Sequence, residues 1–434
     1  MTHWHQILCG FFNKRISYGG TKVNKKLKVK LDTYSERLQE VYTNEDIRRG
    51  LLMGSKIREI TQRILFESDA TYIWLPPLET SIDEYSSENF VARNPYTNKS
   101  YSLVQSPQIQ KEAAATTIGT NFRIVDCYRG EKTDATHSNI FQQIDIEFAN
   151  KREEEIRSVA RRIVETCFRE IVGIALTVDE IYSYENLVKL YGTDCPNLKN
   201  GFLIEEKDGR YSIGIASPEE MKQILPFISK IQVCEILGEQ IVFVDKYPIE
   251  RVREIRDELI SLTGKREETN ATELLGYWVS DMPYAECKNG IIKPTHHIMS
   301  KPKSSLEENF SFLNLTDEEL CRLKCNSFDL LVCTPDRVVE VLGGDERISD
   351  FKTQYEAIRR MGYDPEQYAF LLETLKFNDE HSKTKLGGFA IGVDRFAQFL
   401  SGTNNMKFVQ LFPTNLPNGE LVHAISLEDM SEER

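Results

Sequence analysis

The stretch "CYRGEKTDATHSNIFQQIDIEF", residues 127–148, gathers an arginine, several carboxylates and a histidine around one hairpin-like segment. In the run "FQQIDIEF" the two-residue period of a strand puts Gln143, Asp145 and Glu147 on one face. Ile144, Ile146 and Phe148 take the other. The preceding run "FRIVDCYR" ends at Arg129, so in a hairpin Arg129 and Glu131 converge near Gln143 and Asp145. A guanidinium offers phosphate a rigid fork of donors, and carboxylates can hold an ammonium or amino group. An exposed cross-strand ion pair would use the same residue types. On its own the segment leaves both readings open.

Other segments carry related chemistry. "GGFAIGVDRF" sets Arg395 at a strand-to-helix junction, with glycines that permit close backbone approach. Its spacing is wrong for a dinucleotide-binding loop. A second phosphate-facing arginine is one reading, and an Asp394 helix cap with a salt-bridged Arg395 is the other. "LVQSPQIQKE" brings Gln105, Ser106, Gln108 and Lys111 together after a strand. "PTHHIMSKPK" has adjacent His296 and His297, which in a strand point to opposite faces and cannot easily share one metal. "DRVVEVLGGDERISD" adds Glu340 and Arg347 around two glycines.

These groups need a scaffold, and the hydrophobic pattern supplies one. In "LLMGSKIREITQRIL" (51–65) Met53, Ile57, Ile60 and Ile64 form a helical stripe, followed by the β-prone "ATYIWLPPLE". A strand then leads into a long amphipathic helix with Ile156, Val159, Ile163, Cys167 and Ile171 inward. From 195 to 285 short strands alternate with helices, and Ser217 and Pro218 mark a helix start. From 287 strands return, a helix follows at 352–361, and 387–400 runs from strand into helix. The expected fold is α+β: an antiparallel sheet flanked by helices, with a smaller α+β insertion.

Composition sets limits. The chain has 434 residues and net charge -13, which argues against a generally basic nucleic-acid binder. No apolar run is long enough to span a membrane. The nine cysteines lack paired spacing, which points to reduced, structural thiols in a cytoplasmic compartment. The first 31 residues hold seven Lys or Arg and no acidic residue, as in a solvated tail, a nucleic-acid arm or a targeting segment.

Taken in order, these motifs resemble the catalytic core of bacterial-type aspartyl-tRNA synthetases of class II, over residues 43 to 425. "CYRGEK…FQQIDIEF", "LVQSPQIQK", "YGTDCPNLK" (191–199), "WVSDMPYAE", "PTHHIMSKPK" and "GGFAIGVDRFAQFLSGTNN" carry the likeness. It implies a basic N-terminal arm at 1–42, a catalytic core at 43–194 and 286–434, and an inserted α+β domain at 195–285. It also implies ATP and Mg2+ as cofactors, L-aspartate as substrate, tRNA as acceptor and a homodimer that pairs through 51–78 with Pro77 at the interface. Arg129 would hold the α-phosphate, Glu131 the adenine amino group, and Arg395 and His137 the terminal phosphates. Asp329 and Glu340 match the magnesium carboxylates. Lys111 and Arg347 match the positions that hold the substrate side-chain carboxylate, and Gln105, Ser106, Gln108, Gln143 and Asp145 complete the aspartate site.

The chain departs from the family where the acceptor is met. Only residues 1–42 precede the core, too few for the anticodon-binding barrel. The amino-acid lid reads "IDEYSS" (82–87), with Tyr85 in place of a sensing glutamate and Glu84 beside it. The hairpin loop reads "KTDATHSNI", so Asp134 and Ile140 replace a basic and an acidic residue. Transfer to tRNA, transfer to an amine, protein or small metabolite, and a non-catalytic regulatory role are the three readings. Joint retention of Arg129, Glu131, Glu340 and Arg395 speaks against the last.

Overall fold

The computed structural model describes residues 25–78, 90–130, 132–200, 202–215, 217–263, 274–288, 291–306, 310–334 and 337–414. The described residues begin with helices α1 (Lys25–Thr43) and α2 (Glu45–Glu67). Asn44 caps α2 by accepting from the Asp46 and Ile47 amides, and Glu45 and Asp46 suit the positive end of the helix dipole. Strand β1 (Thr71–Tyr72), the hairpin β2 (Val91–Arg93) and β3 (Ser100–Ser102), helix α3 (Gln108–Ile118), and the long strands β4 (Asn121–Tyr128) and β5 (Ile140–Ala149) follow. Helix α4 (Glu153–Cys167) runs on as a wider π-helical turn to Val172. Next come β6 (Val178–Ser183) and α5 (Tyr184–Tyr191).

A separate unit then forms: β7 (Ile204–Lys207), β8 (Arg210–Gly214), α6 (Pro218–Ile228), β9 (Cys234–Leu237), β10 (Gln240–Phe243) and α7 (Ile249–Thr263). Its four strands run β7-β8-β10-β9 and share a core of Phe202, Ile213, Ile224, Ile241, Phe243, Val252 and Leu259. Ser217 caps α6 through the Glu220 amide. The main sheet resumes at β11 (Leu275–Ser280), ahead of the hairpin β12 (Ala285–Lys288) and β13 (Ile291–Pro294). Helix α8 (Asp317–Arg322), β14 (Ser327–Cys333), β15 (Val338–Glu346), α9 (Phe351–Arg360), α10 (Ala369–Phe377), β16 (Leu386–Gly392) and α11 (Val393–Leu400) complete the described chain.

The large sheet has eight strands in the order β1-β4-β5-β16-β15-β14-β11-β6. The central pairs are antiparallel, as expected from the sequence, but β1–β4 and β6–β11 are parallel. Each parallel pair is joined by a long connection, which a parallel crossover requires and a hairpin does not. The period-two split of β5 sorts the layers. Ile144, Ile146 and Phe148 enter the core with Ile57, Ile60 and Ile64 of α2, Ile156 and Ile163 of α4, and Phe396 of α11. The alternate residues meet α3 on the other face: Asp145 and Glu147 lie beside Lys111. The apolar stripes therefore push the polar side of β5 toward one cavity.

Two expectations change. Cys287 of β12 and Cys321 of α8 form a disulfide, with Cα atoms 6.2 Å apart. The two are 34 residues apart in sequence, and only the packing of α8 on the β12 hairpin brings them together. The other described cysteines, among them Cys325, are free thiols. Of the basic arm, residues 1–24 lie outside the described residues and the remainder is α1, a docked helix. No described helix is long and apolar enough to cross a membrane.

Helix α1 docks through Arg37, which is 6% exposed. Its guanidinium donates to the Leu411 carbonyl at 2.9 Å, the Lys407 carbonyl at 2.6 Å and the Gln410 carbonyl at 2.8 Å. Tyr34 stacks on Phe412 with ring centroids 5.2 Å apart. Arg37→Ala removes three hydrogen bonds to partly buried carbonyls and should cost about 2 kcal/mol in urea unfolding. An unchanged urea midpoint would show that α1 adds nothing to the fold.

Candidate active site

A cavity of about 480 Å³ opens over the centre of the sheet. Eleven of the sequence-derived candidates line it: Ser106, Gln108, Lys111, Arg129, His137, Gln143, Asp145, Asp329, Glu340, Arg347 and Arg395. They come from α3, the β4–β5 hairpin, β14, β15 and its exit, and the first turn of α11. The β4–β5 register pairs Val125 with Gln143 and Cys127 with Phe141, and the Arg129 amide donates to the Asn139 carbonyl at 2.8 Å. The hairpin thus brings Arg129 to the same opening as Gln143 and Asp145. The Arg129 guanidinium lies 5.0 Å from the Phe141 ring centroid, a cation–π contact that steadies it.

One end of the cavity is a buried charge box. Lys111 Nζ lies 3.1 Å from Asp145 Oδ1 and 3.6 Å from Glu147 Oε2. Arg347 meets both oxygens of Glu147 at 3.3 Å and also contacts Asp345. His297 Nε2 is 2.9 Å from Arg347 Nη1 and 3.3 Å from Asp345 Oδ2, and Ser300 Oγ donates to Asp345. Burial, then the Arg347 charge, holds the His297 pKa well below the usual imidazole value, so the ring is neutral and accepts from the guanidinium. Behind Gln108, Glu112 is fully buried. Gln108 Nε2 donates to its Oε1 at 2.5 Å and its Oε2 has no hydrogen-bond partner. Burial and the neighbouring Glu147 push the Glu112 carboxyl up to about 7.

The other end is set for phosphate. Arg395 makes no hydrogen bond or ion pair among the described residues. Asp394 is not a helix cap: its Oδ2 accepts from the Gln142 amide at 3.2 Å and from Gln410 Nε2 at 2.8 Å, tying α11 to β5. Asp329 of β14 and Glu340 of β15 share one wall, and Gly343 keeps the space between them. A side chain there would come within 2.7 Å of Asp329 Oδ1 and 3.5 Å of Glu340 Oε1. Asp329 Oδ1 is buried without a hydrogen bond, and burial followed by the Glu340 charge raises the Asp329 pKa well above the ordinary carboxylate range. At the mouth, Asp134 accepts from the Thr136 and His137 amides and lies 3.0 Å from His137 Nδ1. These bonds lower the Asp134 pKa and keep it ionised.

Not every candidate is placed here. Gln105 is buried and does not line the cavity. Glu131 and the 82–87 segment with Glu84 and Tyr85 lie outside the described residues. His296 and His297 both line the cavity, contrary to the expectation of opposite faces, because they sit in the turn after β13 and not in the strand. Burial depresses the His296 pKa to about 4. The sequence alone gives no site role to Glu147, Asp345, Glu112, Asp194 and Glu286. The β5 alternation pointed to Glu147, and the "YGTDCPNLK" motif held Asp194.

Comparison with known proteins bears on the family and the fold. The family model described as tRNA synthetases class II (D, K and N) matches residues 32–416. The chain is 25% identical over 441 residues to an aspartate--tRNA ligase of Clostridium tetani, covering 85% of this chain and 72% of that one. An aspartate--tRNA(Asp/Asn) ligase of Symbiobacterium thermophilum is 24% identical over 438 residues, with the same coverage, 85% and 72%. Among solved structures, the asparaginyl-tRNA synthetase of Entamoeba histolytica has a TM-score of 0.55 at 16% identity over 90% of this chain and 72% of that one. The Pyrococcus horikoshii asparaginyl-tRNA synthetase, complexed with asparaginyl-adenylate, has a TM-score of 0.52 at 15% identity over the same shares, 90% and 72%. At these identities the structural likeness speaks for the fold. With the family model spanning residues 32–416 and the fold in accord, the chain belongs to the class II tRNA synthetases of the D, K and N group, a family of ATP-dependent ligases.

Proposed function

We propose that the chain activates L-aspartate with ATP, giving aspartyl-adenylate and pyrophosphate, and passes the aspartyl group to tRNA. The observation that carries this reading is the placement of Lys111 and Arg347 in a closed charge box inside the same cavity as Arg129 and Arg395. The box takes the substrate side-chain carboxylate, and Gln143, Asp145, Ser106 and Gln108 hold the amino group and backbone. Arg129 bonds the α-phosphate, Arg395 and His137 the terminal phosphates, and Glu131 the adenine amino group. The substrate α-carboxylate oxygen attacks the α-phosphorus as the bond to the bridging oxygen breaks, and the electron pair leaves with pyrophosphate. An acceptor hydroxyl then attacks the acyl carbon and AMP departs. Positioning and charge neutralisation supply most of the acceleration.

Asp329 and Glu340 fit a divalent cation: two close carboxylates, one with a buried oxygen that lacks a donor. No group of three or more metal-ligating side chains occurs among the described residues, so Mg2+ here would take its remaining ligands from phosphate and water. Bound there, it would neutralise phosphate charge.

Transfer to an acceptor other than tRNA, an amine, a protein or a small metabolite, is the second reading. The acceptor-side loop favours it, since Asp134 adds a locked negative charge where phosphate would have to approach, on a protein of net charge -13. We also propose a homodimer. Leu52 and Phe66 of α2, Tyr72 and Trp74 form an exposed apolar set along 51–78, Trp74 at 76% exposure.

Aspartate-dependent ATP–pyrophosphate exchange tests the first step. Exchange with aspartate followed by labelling of total tRNA is the expected result; exchange without labelling supports the second reading. Absence of exchange with any amino acid would end both. Arg129→Ala should cut exchange by ~10²-fold or more. EDTA should abolish exchange and added Mg2+ should restore it; full activity in EDTA would remove the metal assignment. Trp74→Glu should halve the mass measured by light scattering, and a monomeric wild type would refute the dimer.

A further inference from the structure

The box holds more carboxylates than cations. Its cations are Lys111 and Arg347, and Asp145, Glu147 and Asp345 already sit against them. Glu112 is a fourth carboxylate, next to Lys111 on α3 and sealed from water. One of its oxygens takes Gln108, whose side chain lines the cavity, and the other has no donor. With all four ionised the box has two more negative charges than positive, and protonating Glu112 removes one of them; a substrate side-chain carboxylate adds to the repulsion that remains in a space of low dielectric. The charges facing Glu112 are Glu147 from β5, Arg347 from the exit of β15 and Lys111 on its own helix. Burial and then Glu147 oppose ionisation of Glu112; Arg347, the Gln108 hydrogen bond and Lys111 favour it, and the balance lies with the first two.

We propose that Glu112 is a proton-gated specificity residue: protonated, it lets the pocket hold a side-chain carboxylate, and ionised, it turns the pocket toward the uncharged amide. The inference rests on the reading that this site takes aspartate. Glu112 does not touch the ligand; it acts on the box charge and through Gln108, as a positioning residue. The sign follows from linkage. Aspartate favours the protonated form, so its binding takes up a proton when the pH exceeds about 7, where the free carboxyl titrates. Preference for aspartate over asparagine therefore falls as pH rises, by up to ~10-fold per unit. Asparagine brings no net side-chain charge and takes up no such proton.

The test uses the full chain. Aspartate and asparagine are titrated calorimetrically at pH 7.5 in buffers of different ionisation enthalpy, for wild type and Glu112→Gln. Exchange kcat/KM for both amino acids is measured from pH 6 to 9. The expected result is proton uptake with aspartate that disappears in Glu112→Gln, together with an aspartate-to-asparagine ratio that falls with pH in wild type and is flat in the variant. Equal proton uptake in both proteins would overturn the proposal. A wild-type ratio flat across the range would overturn it without any variant, should Glu112→Gln fail to fold. If aspartate binds and reacts but shows neither effect, only the gate is lost; if neither amino acid binds or supports exchange, the adenylation reading falls with it.

Discussion

Two buried cations between carboxylates set the terms for the rest of the molecule. Lys111 and Arg347 are almost fully buried, and a charge sealed from water is tolerable only with a partner at hydrogen-bond distance. Their partners come from separate elements: Asp145 and Glu147 from β5, Asp345 from β15. Helix α3 and both strands must therefore keep their spacing to a fraction of an ångström. Gly388 of β16 shows how tight the arrangement is. A Cβ there would fall 2.1 Å from the Ile146 carbonyl oxygen and 2.8 Å from Glu147 Oε2. Only a strand without a side chain at that point can press against β5 and leave the glutamate where Arg347 needs it.

The cavity is asymmetric. At its amino-acid end nearly every charge is already paired, so the shape of the box is fixed before a ligand arrives. At its phosphate end Arg395 has no bonded partner among the described residues, and Asp329 and Glu340 repel each other. That end stores charge that a polyphosphate and a divalent ion would relieve together. Such an arrangement favours a ligand of high charge density and leaves selectivity to the pre-paired end.

Much of the site was legible in the sequence where one element carried the signal. Strand periodicity alone placed Gln143 and Asp145 on one face of β5, and hairpin geometry brought Arg129 to it. The helical stripes of α2 and α4 likewise followed from spacing. What failed were readings that depend on where a segment leaves its element. The two histidines were judged as strand residues and lie in a turn. Gln105 shares a motif with Ser106 and Gln108 but is buried and does not line the cavity they line. Glu112 carries no signal in the sequence, because helical spacing cannot reveal that the strand face opposite is charged. The Cys287–Cys321 pair was invisible for a related reason: the residues meet only through the packing of α8 on a hairpin.

The parallel pairing of β6 with β11 matters for how the chain assembles. Gly276 lies beside Val178 and Ser280 beside Ser183, so the polypeptide leaves one end of the pair and must return to the other. The stretch from 184 to 274 is thus the bridge that makes this edge of the sheet possible. A tight turn could not replace it, since a parallel return needs a dozen residues or more. Closing so long a loop carries an entropic cost that grows only slowly with length. The intervening unit has its own core and can shorten the effective span by folding first. On this topology the outer edge closes a far longer loop than the hairpin pairings that carry Asp145, Glu147 and Asp345.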